Sequence, residues 1–167
     1  LDHSPMDMTY YPENYPIEQM KNAESAEGPF LRIIYSRPHK KGREIFGDDT
    51  SALCAYDKPW RLGANEATEI ELFKNVIIAG KNLPKGRYTI YAIPYKDRWT
   101  LIFNSSVYTW GLHIDESKDV FKTDVPTMQQ TPDVEDFTMQ LLGMDYGADL
   151  LIAWDRVKVI LPIEFAK

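Results

Sequence analysis

The residues best equipped for chemistry lie in one run, "WRLGANEATEIEL", from Trp60 to Leu72. It groups an indole, a guanidinium, an amide and a carboxylate: Trp60, Arg61, Asn65 and Glu66. Arg61 offers a planar fork of donors, Asn65 both a donor and an acceptor, and Glu66 an acceptor or a base. Gly63 and Ala64 leave room for close backbone approach. Such a set can hold a polar ligand from several sides. The same groups can instead satisfy one another and fasten a loop to a sheet, as buried polar groups require.

A second run, "YSRPHKKGREIFG", adds Arg37 and Arg43. Folded beside the first run, it brings Arg37, Arg43 and Arg61 together, a concentration of charge suited to an anionic or carboxylate-bearing ligand. In the competing reading Arg37 and Arg43 pair with surface carboxylates, each pair contributing under about 1 kcal/mol. Trp110, in "YTWGLHIDES", precedes Gly111 in a loop or at a strand edge and can stack on a ligand ring.

Other chemistry finds little support. Glu66 is the candidate acid or base of a hydrolase, but a glycosidase needs a second carboxylate about 5–10 Å away, and the sequence designates none. "DESKD" lacks the spacing of a calcium loop, and there is no His-Glu-x-x-His, Gly-x-Ser-x-Gly or phosphate-binding glycine loop. His3, His39 and His113 are scattered, and Cys54 is a single cysteine flanked by Leu53 and Ala55, read as a small buried hydrophobe. No metal site and no cofactor is expected.

The net charge of −6 and the absence of any basic run longer than "HKKGR" argue against nucleic-acid binding. No run of eighteen apolar residues suggests a membrane span. The chain opens on Leu1 without an initiator Met, which is expected of a trimmed or mature form.

Strands must position these groups. Residues 1–29, broken by Pro5, Pro12 and Pro16, read as an extended arm packed on a domain of residues 30–167. A short helix is expected near Pro16 to Ala23. "FLRIIYSR", "ATEIELF", "NVIIAG", "GRYTIYAIP", "RWTLIFN" and "VFKTDV" carry strand patterns, with Pro84 and Gly86 marking a turn. "EDFTMQLLGM" favours helix by propensity, yet its clean alternation predicts a strand. "ADLLIAWD" and "VKVILPIEF" read as a hairpin closed by "DR". Nine to eleven strands without strand–helix–strand units imply an all-β fold, a single antiparallel β-sandwich, with a flattened barrel as the alternative. Pairing with a second copy along an exposed strand edge stays open.

The segments "DHSPMDMTYYP", "YSRPHKKGREIFG", "PWRLGANEATEI", "LPKGRYTIYAIP", "WTLIFN" and "AWD…VILPI", in this order, resemble domain of unknown function 2911 over nearly the whole chain. One departure is His113, which stands where an aromatic is expected. The resemblance implies a small exported bacterial protein, with a cleaved signal peptide and a periplasmic or secreted location. It brings no activity with it. Three functions follow from the residues. The first is a binding module for a small polar or anionic ligand, such as a saccharide or cell-envelope fragment, held by Arg37, Arg43, Trp60, Arg61, Asn65, Glu66 and Trp110. The second is a hydrolase built on Glu66. The third is an envelope or interaction protein in which these residues are a structural lock.

Overall fold

The computed structural model describes residues 2–22, 24, 28–48 and 51–165. Within them are twelve strands and one short α-helix, and ten of the strands form two facing antiparallel sheets with no closed barrel. The first sheet has six strands, in the order β1 (Met6–Tyr11), β2 (Leu31–Ser36), β5 (Glu69–Leu72), β8 (Gly86–Pro94), β9 (Arg98–Asn104) and β10 (Asp119–Pro126). The second has four, in the order β11 (Met128–Met144), β12 (Gly147–Phe165), β6 (Val76–Ile78) and β7 (Lys81–Leu83). A small parallel pair, β3 (Phe46–Gly47) and β4 (Cys54–Ala55), lies apart from both, and α1 spans Tyr15–Lys21. The sandwich expectation holds, with slightly more strands than the sequence suggests.

Alternation explains the layering. Leu31, Ile33 and Tyr35 of β2 point inward with Ile90 and Ala92 of β8 and Trp99, Leu101 and Phe103 of β9. They meet Phe137, Met139 and Leu141 of β11 and the inner face of β12. Burial of these side chains supplies the main driving force, at about 25 cal/mol per Å² of apolar surface. At the centre Trp60 meets Phe137 at 5.0 Å, Trp99 at 5.6 Å and Trp154 at 5.8 Å between ring centroids. Trp99 and Trp154 are core residues. Cys54 is also buried, and burial pushes its thiol well above its ordinary range, away from the reactive thiolate.

The expected C-terminal hairpin is not formed. "ADLLIAWD" and "VKVILPIEF" belong to one strand, β12, which runs straight through "DR". Asp155 has a φ of +53° and acts as a bulge. Inward positions are even-numbered before it (Leu150, Ile152, Trp154) and odd-numbered after it (Val159, Leu161, Ile163). That break in phase mimics a turn. The turn itself lies at Asp145 and Tyr146, where β11 pairs back onto β12 from Met144 opposite Gly147. The alternating "EDFTMQLLGM" is strand, within β11.

The N-terminal arm is more than a cover. Its residues 6–11 are β1, the edge strand of the large sheet, in register with β2 from Met6 opposite Ser36 to Tyr11 opposite Leu31.

Candidate functional site

The run around Arg61 is an excursion from the large sheet. Trp60 exchanges two backbone hydrogen bonds with Ala92 of β8, at 2.7 and 2.8 Å. Two residues back along β8, Ile90 donates to the Thr68 carbonyl at 2.9 Å. Trp60 and Thr68 thus occupy successive places along the same edge of β8, and residues 61–67 are extruded between them. Positive φ at Leu62, Gly63 and Asn65 makes the excursion tight. At Gly63 a Cβ would stand 3.0 Å from the Ser36 carbonyl oxygen, so glycine is required there. Leu62 is fully buried as a plug, and the Thr68 hydroxyl donates to its carbonyl at 2.6 Å.

Arg61 leaves this loop and donates from Nη1 to two carbonyls, Asn65 at 2.6 Å and Trp110 at 2.9 Å. Its guanidinium lies 6.0 Å from the Trp110 ring centroid. Burial lowers its pKa from the ordinary value, and the charges of Glu66 and Asp2 offset this in part. No carboxylate forms an ion pair with it among the described residues.

Arg43 arrives from the "HKKGR" turn. The turn is clamped to the bulged part of β11 and β12. His39 pairs with Asp136, Lys40 with Asp155 and with Asp133, and the Lys41 amide donates to the Glu135 carboxylate at 2.8 Å. Arg43 itself reaches only carbonyls of its own turn, those of Lys40 (3.1 Å) and His39. It too lacks a carboxylate partner among the described residues.

Arg43 and Arg61 line one recess of 630 Å³, together with Trp60, Asn65, Trp110 and Asp2. The remaining expected groups have other places. Arg37 does not join them: it bridges β1 and β11, to Asp7 at 3.2 Å, the Phe137 carbonyl at 3.2 Å and Thr138 Oγ1 at 3.1 Å. The three-arginine convergence is therefore a two-arginine one, because the strand carrying Arg37 ends at the seam between the two sheets. Trp60 offers the recess only an edge, since its ring belongs to the core and is 9% exposed. Glu66 is exposed and lines a neighbouring recess on the far side of Trp110.

Asn65 is occupied by the arm. Its Oδ1 accepts from the Asp2 amide and its Nδ2 donates to the Asp2 carbonyl, both at 2.9 Å. Asn65 thus ties the start of the arm to the excursion. An Asn65→Gly variant keeps the backbone conformation accessible and removes only these two bonds, together about 1–3 kcal/mol. Faster amide exchange at residues 2–5, with little change in the global unfolding midpoint, is the expected result.

The wall holding Trp110 is firm. Residues 105–118 connect β9 to β10 and are tied down along their length. Ser106 accepts from the Thr89 hydroxyl, Thr109 from the Ala67 amide at 3.0 Å, and the Asp115 carbonyl from Asn104 at 2.9 Å. The Tyr108 amide donates to Glu69 at 2.5 Å, and Glu69 also pairs with Arg87 at 2.6 Å. Glu69 is consequently buried, although its place on the polar side of β5 suggests a solvent face. Its burial depends on a loop contributed 39 residues later, which the sequence near β5 does not announce. The place of Asp2 in the recess wall was equally hidden, being set by the register of β1.

Gly111, with a φ of +77°, packs against this region so closely that a Cβ would meet Arg61 Cβ at 3.0 Å and Ala67 Cβ at 3.1 Å. Gly111→Ala is therefore expected to displace Arg61 and to crowd the buried Ala67 beside it. The predicted readout is a shift of the Arg61 side-chain NMR signals in a protein whose unfolding stays cooperative.

Among the described residues no group of three or more His, Cys, Asp or Glu side chains could hold a metal ion, and no helix is long and apolar enough to cross a membrane. No curated protein and no solved structure matches the chain. The model of a protein family of unknown function, DUF2911, matches residues 17–163. Because that match spans almost all of the sandwich, the chain belongs to the DUF2911 family.

Proposed function

We propose that the protein is a binding module whose Arg43–Arg61 recess takes a small organic anion, a carboxylate or phosphate. One observation carries this reading. Arg32, Arg37, Arg87, Arg98 and Arg156 each pair with a carboxylate, whereas the two arginines without such a partner among the described residues line the same recess. An acidic chain supplies ample carboxylates, so two guanidiniums left without one in the same recess are suited to a bound anion. The Trp110 indole provides the apolar wall that small-molecule sites combine with a few polar groups.

Hydrolysis is less well served. Glu66 shares its recess with Glu69, but Glu69 is committed to Arg87 and to the Tyr108 amide and is not free to act as a second catalytic carboxylate. The exported location that the family resemblance implies would place sugar acids, organic acids and envelope fragments within reach of the recess.

The test is a calorimetric titration with a panel of carboxylates and phosphates on the wild type, Arg43→Ala and Arg37→Ala. Arg43→Ala should weaken binding by about 10- to 100-fold, the worth of one charged hydrogen-bond partner. Arg37→Ala should bind as the wild type does, since its charge is spent on Asp7. Equal losses in both variants, or no binding by any anion, would refute the assignment.

A further inference from the structure

Trp110 is the wall between two recesses. On one side lies the anion recess with Arg43 and Arg61. On the other lies a trough of 530 Å³ on the outer face of the large sheet, formed by Met6, Ile34, Ala67 and Tyr108, with Glu66 at its edge. Large apolar groups stand open here: Met6 is 51% exposed, Tyr108 78% and Trp110 41%. Exposed apolar residues collected in one groove mark a contact surface more often than single ones do. The polar groups of the trough are nearly all spent. Glu69 is bound to Arg87 and the Tyr108 amide, and Arg87 lies over the Tyr108 ring at 4.7 Å.

We infer that the ligand of the anion recess is amphipathic, an organic anion whose hydrocarbon portion crosses the Trp110 edge and lies in the Met6–Ile34–Tyr108 trough. The inference rests on the anion-binding reading given above and names the ligand class for that site. Continuity through one shared indole and complementarity with the unpaired guanidiniums fix the occupant as one molecule with two chemically different ends. A sugar ring fits the trough poorly, because its walls are mainly the apolar groups of Met6, Ile34, Ala67, Tyr108 and Trp110, whereas a site for sugars needs several placed polar groups. The anchored connection behind Trp110 keeps both recesses preformed, so the two ends of the ligand meet a fixed spacing.

Three probes separate the possibilities: inorganic phosphate, n-hexyl phosphate and glucose 1-phosphate, each titrated calorimetrically into the intact protein. Hexyl phosphate is expected to bind at least tenfold more tightly than inorganic phosphate, and glucose 1-phosphate no more than about threefold more tightly. Ile34→Ser, which removes apolar surface from the trough without setting a charge opposite Glu69, should bring hexyl phosphate close to the affinity of inorganic phosphate while leaving inorganic phosphate unchanged. Met6→Gln is the second variant and should reduce the same advantage, so that the result does not hang on one substitution. If inorganic phosphate binds and hexyl phosphate gains nothing, the amphipathic ligand is wrong and the anion site stands. A gain for glucose 1-phosphate instead overturns the inference in favour of a sugar phosphate. If neither inorganic nor hexyl phosphate binds, both readings fall together.

Discussion

Replacing Trp60 with alanine is expected to lower the unfolding free energy by about 3–5 kcal/mol, the usual cost of removing a buried tryptophan. The ring is the hub of the core: it is edge-on to Phe46, Trp99 and Phe137 and stacked on Trp154. The two inner faces meet on it, so the cavity left behind cannot be closed by one neighbour alone. Its backbone keeps the hydrogen bonds to Ala92, so the sheet should persist while its packing loosens. Denaturant unfolding checks this, with a shift in midpoint at constant slope as the signature of a pure stability change. A loss below about 1 kcal/mol would mean that the aromatic cluster is not the centre of the fold. Because Trp60 also begins the excursion that carries Arg61, its indole N–H donating to the Gly63 carbonyl at 3.3 Å, binding should weaken in the same variant. A residue read as a ligand contact thus serves the site mainly through the core.

The second large effect is expected of the Arg43→Ala/Arg61→Ala double variant. With both guanidiniums gone the recess keeps Asp2 and Glu116 and becomes repulsive to anions. Losses of about 1.5–3 kcal/mol for each charged partner add to a fall of at least 100-fold in anion affinity. Arg61→Lys separates charge from geometry. It retains the cation but not the guanidinium, whose Nη1 holds the Asn65 and Trp110 carbonyls while its other N–H groups remain for an anion, so partial loss is expected. Salt should weaken wild-type binding less than it weakens contacts of fully exposed charges, because the Arg61 side is sheltered beneath Trp110.

Particular elements show how far the chain could be read without coordinates. β2, β8 and β9 follow from alternation, because each has one face in the core and period two is the direct trace of that. β12 was misread because a bulge at Asp155 shifts the phase of alternation just as a turn would. Arg61, Asn65 and Trp110 were recognisable as unusual from residue type and the neighbouring glycines, and they do meet in space. That Arg37 departs to Asp7, or that Asp2 closes the recess, depends on how β1 registers against β2. Register is settled by pairing across the whole sheet and leaves no local mark. Glu69 makes the same point from the other side: its local pattern is that of a solvent-facing residue, and a distant loop buries it.

On the proposed reading, Arg43 and Arg61 lack a carboxylate partner among the described residues because the recess they line receives an anion. A crystal structure grown with n-hexyl phosphate tests it most directly. The phosphate is predicted to lie in the recess with oxygens about 2.7–3.2 Å from both guanidiniums. An empty recess in which Arg61 turns to pair with Asp2 or Glu66, with phosphate bound elsewhere or not at all, would contradict it.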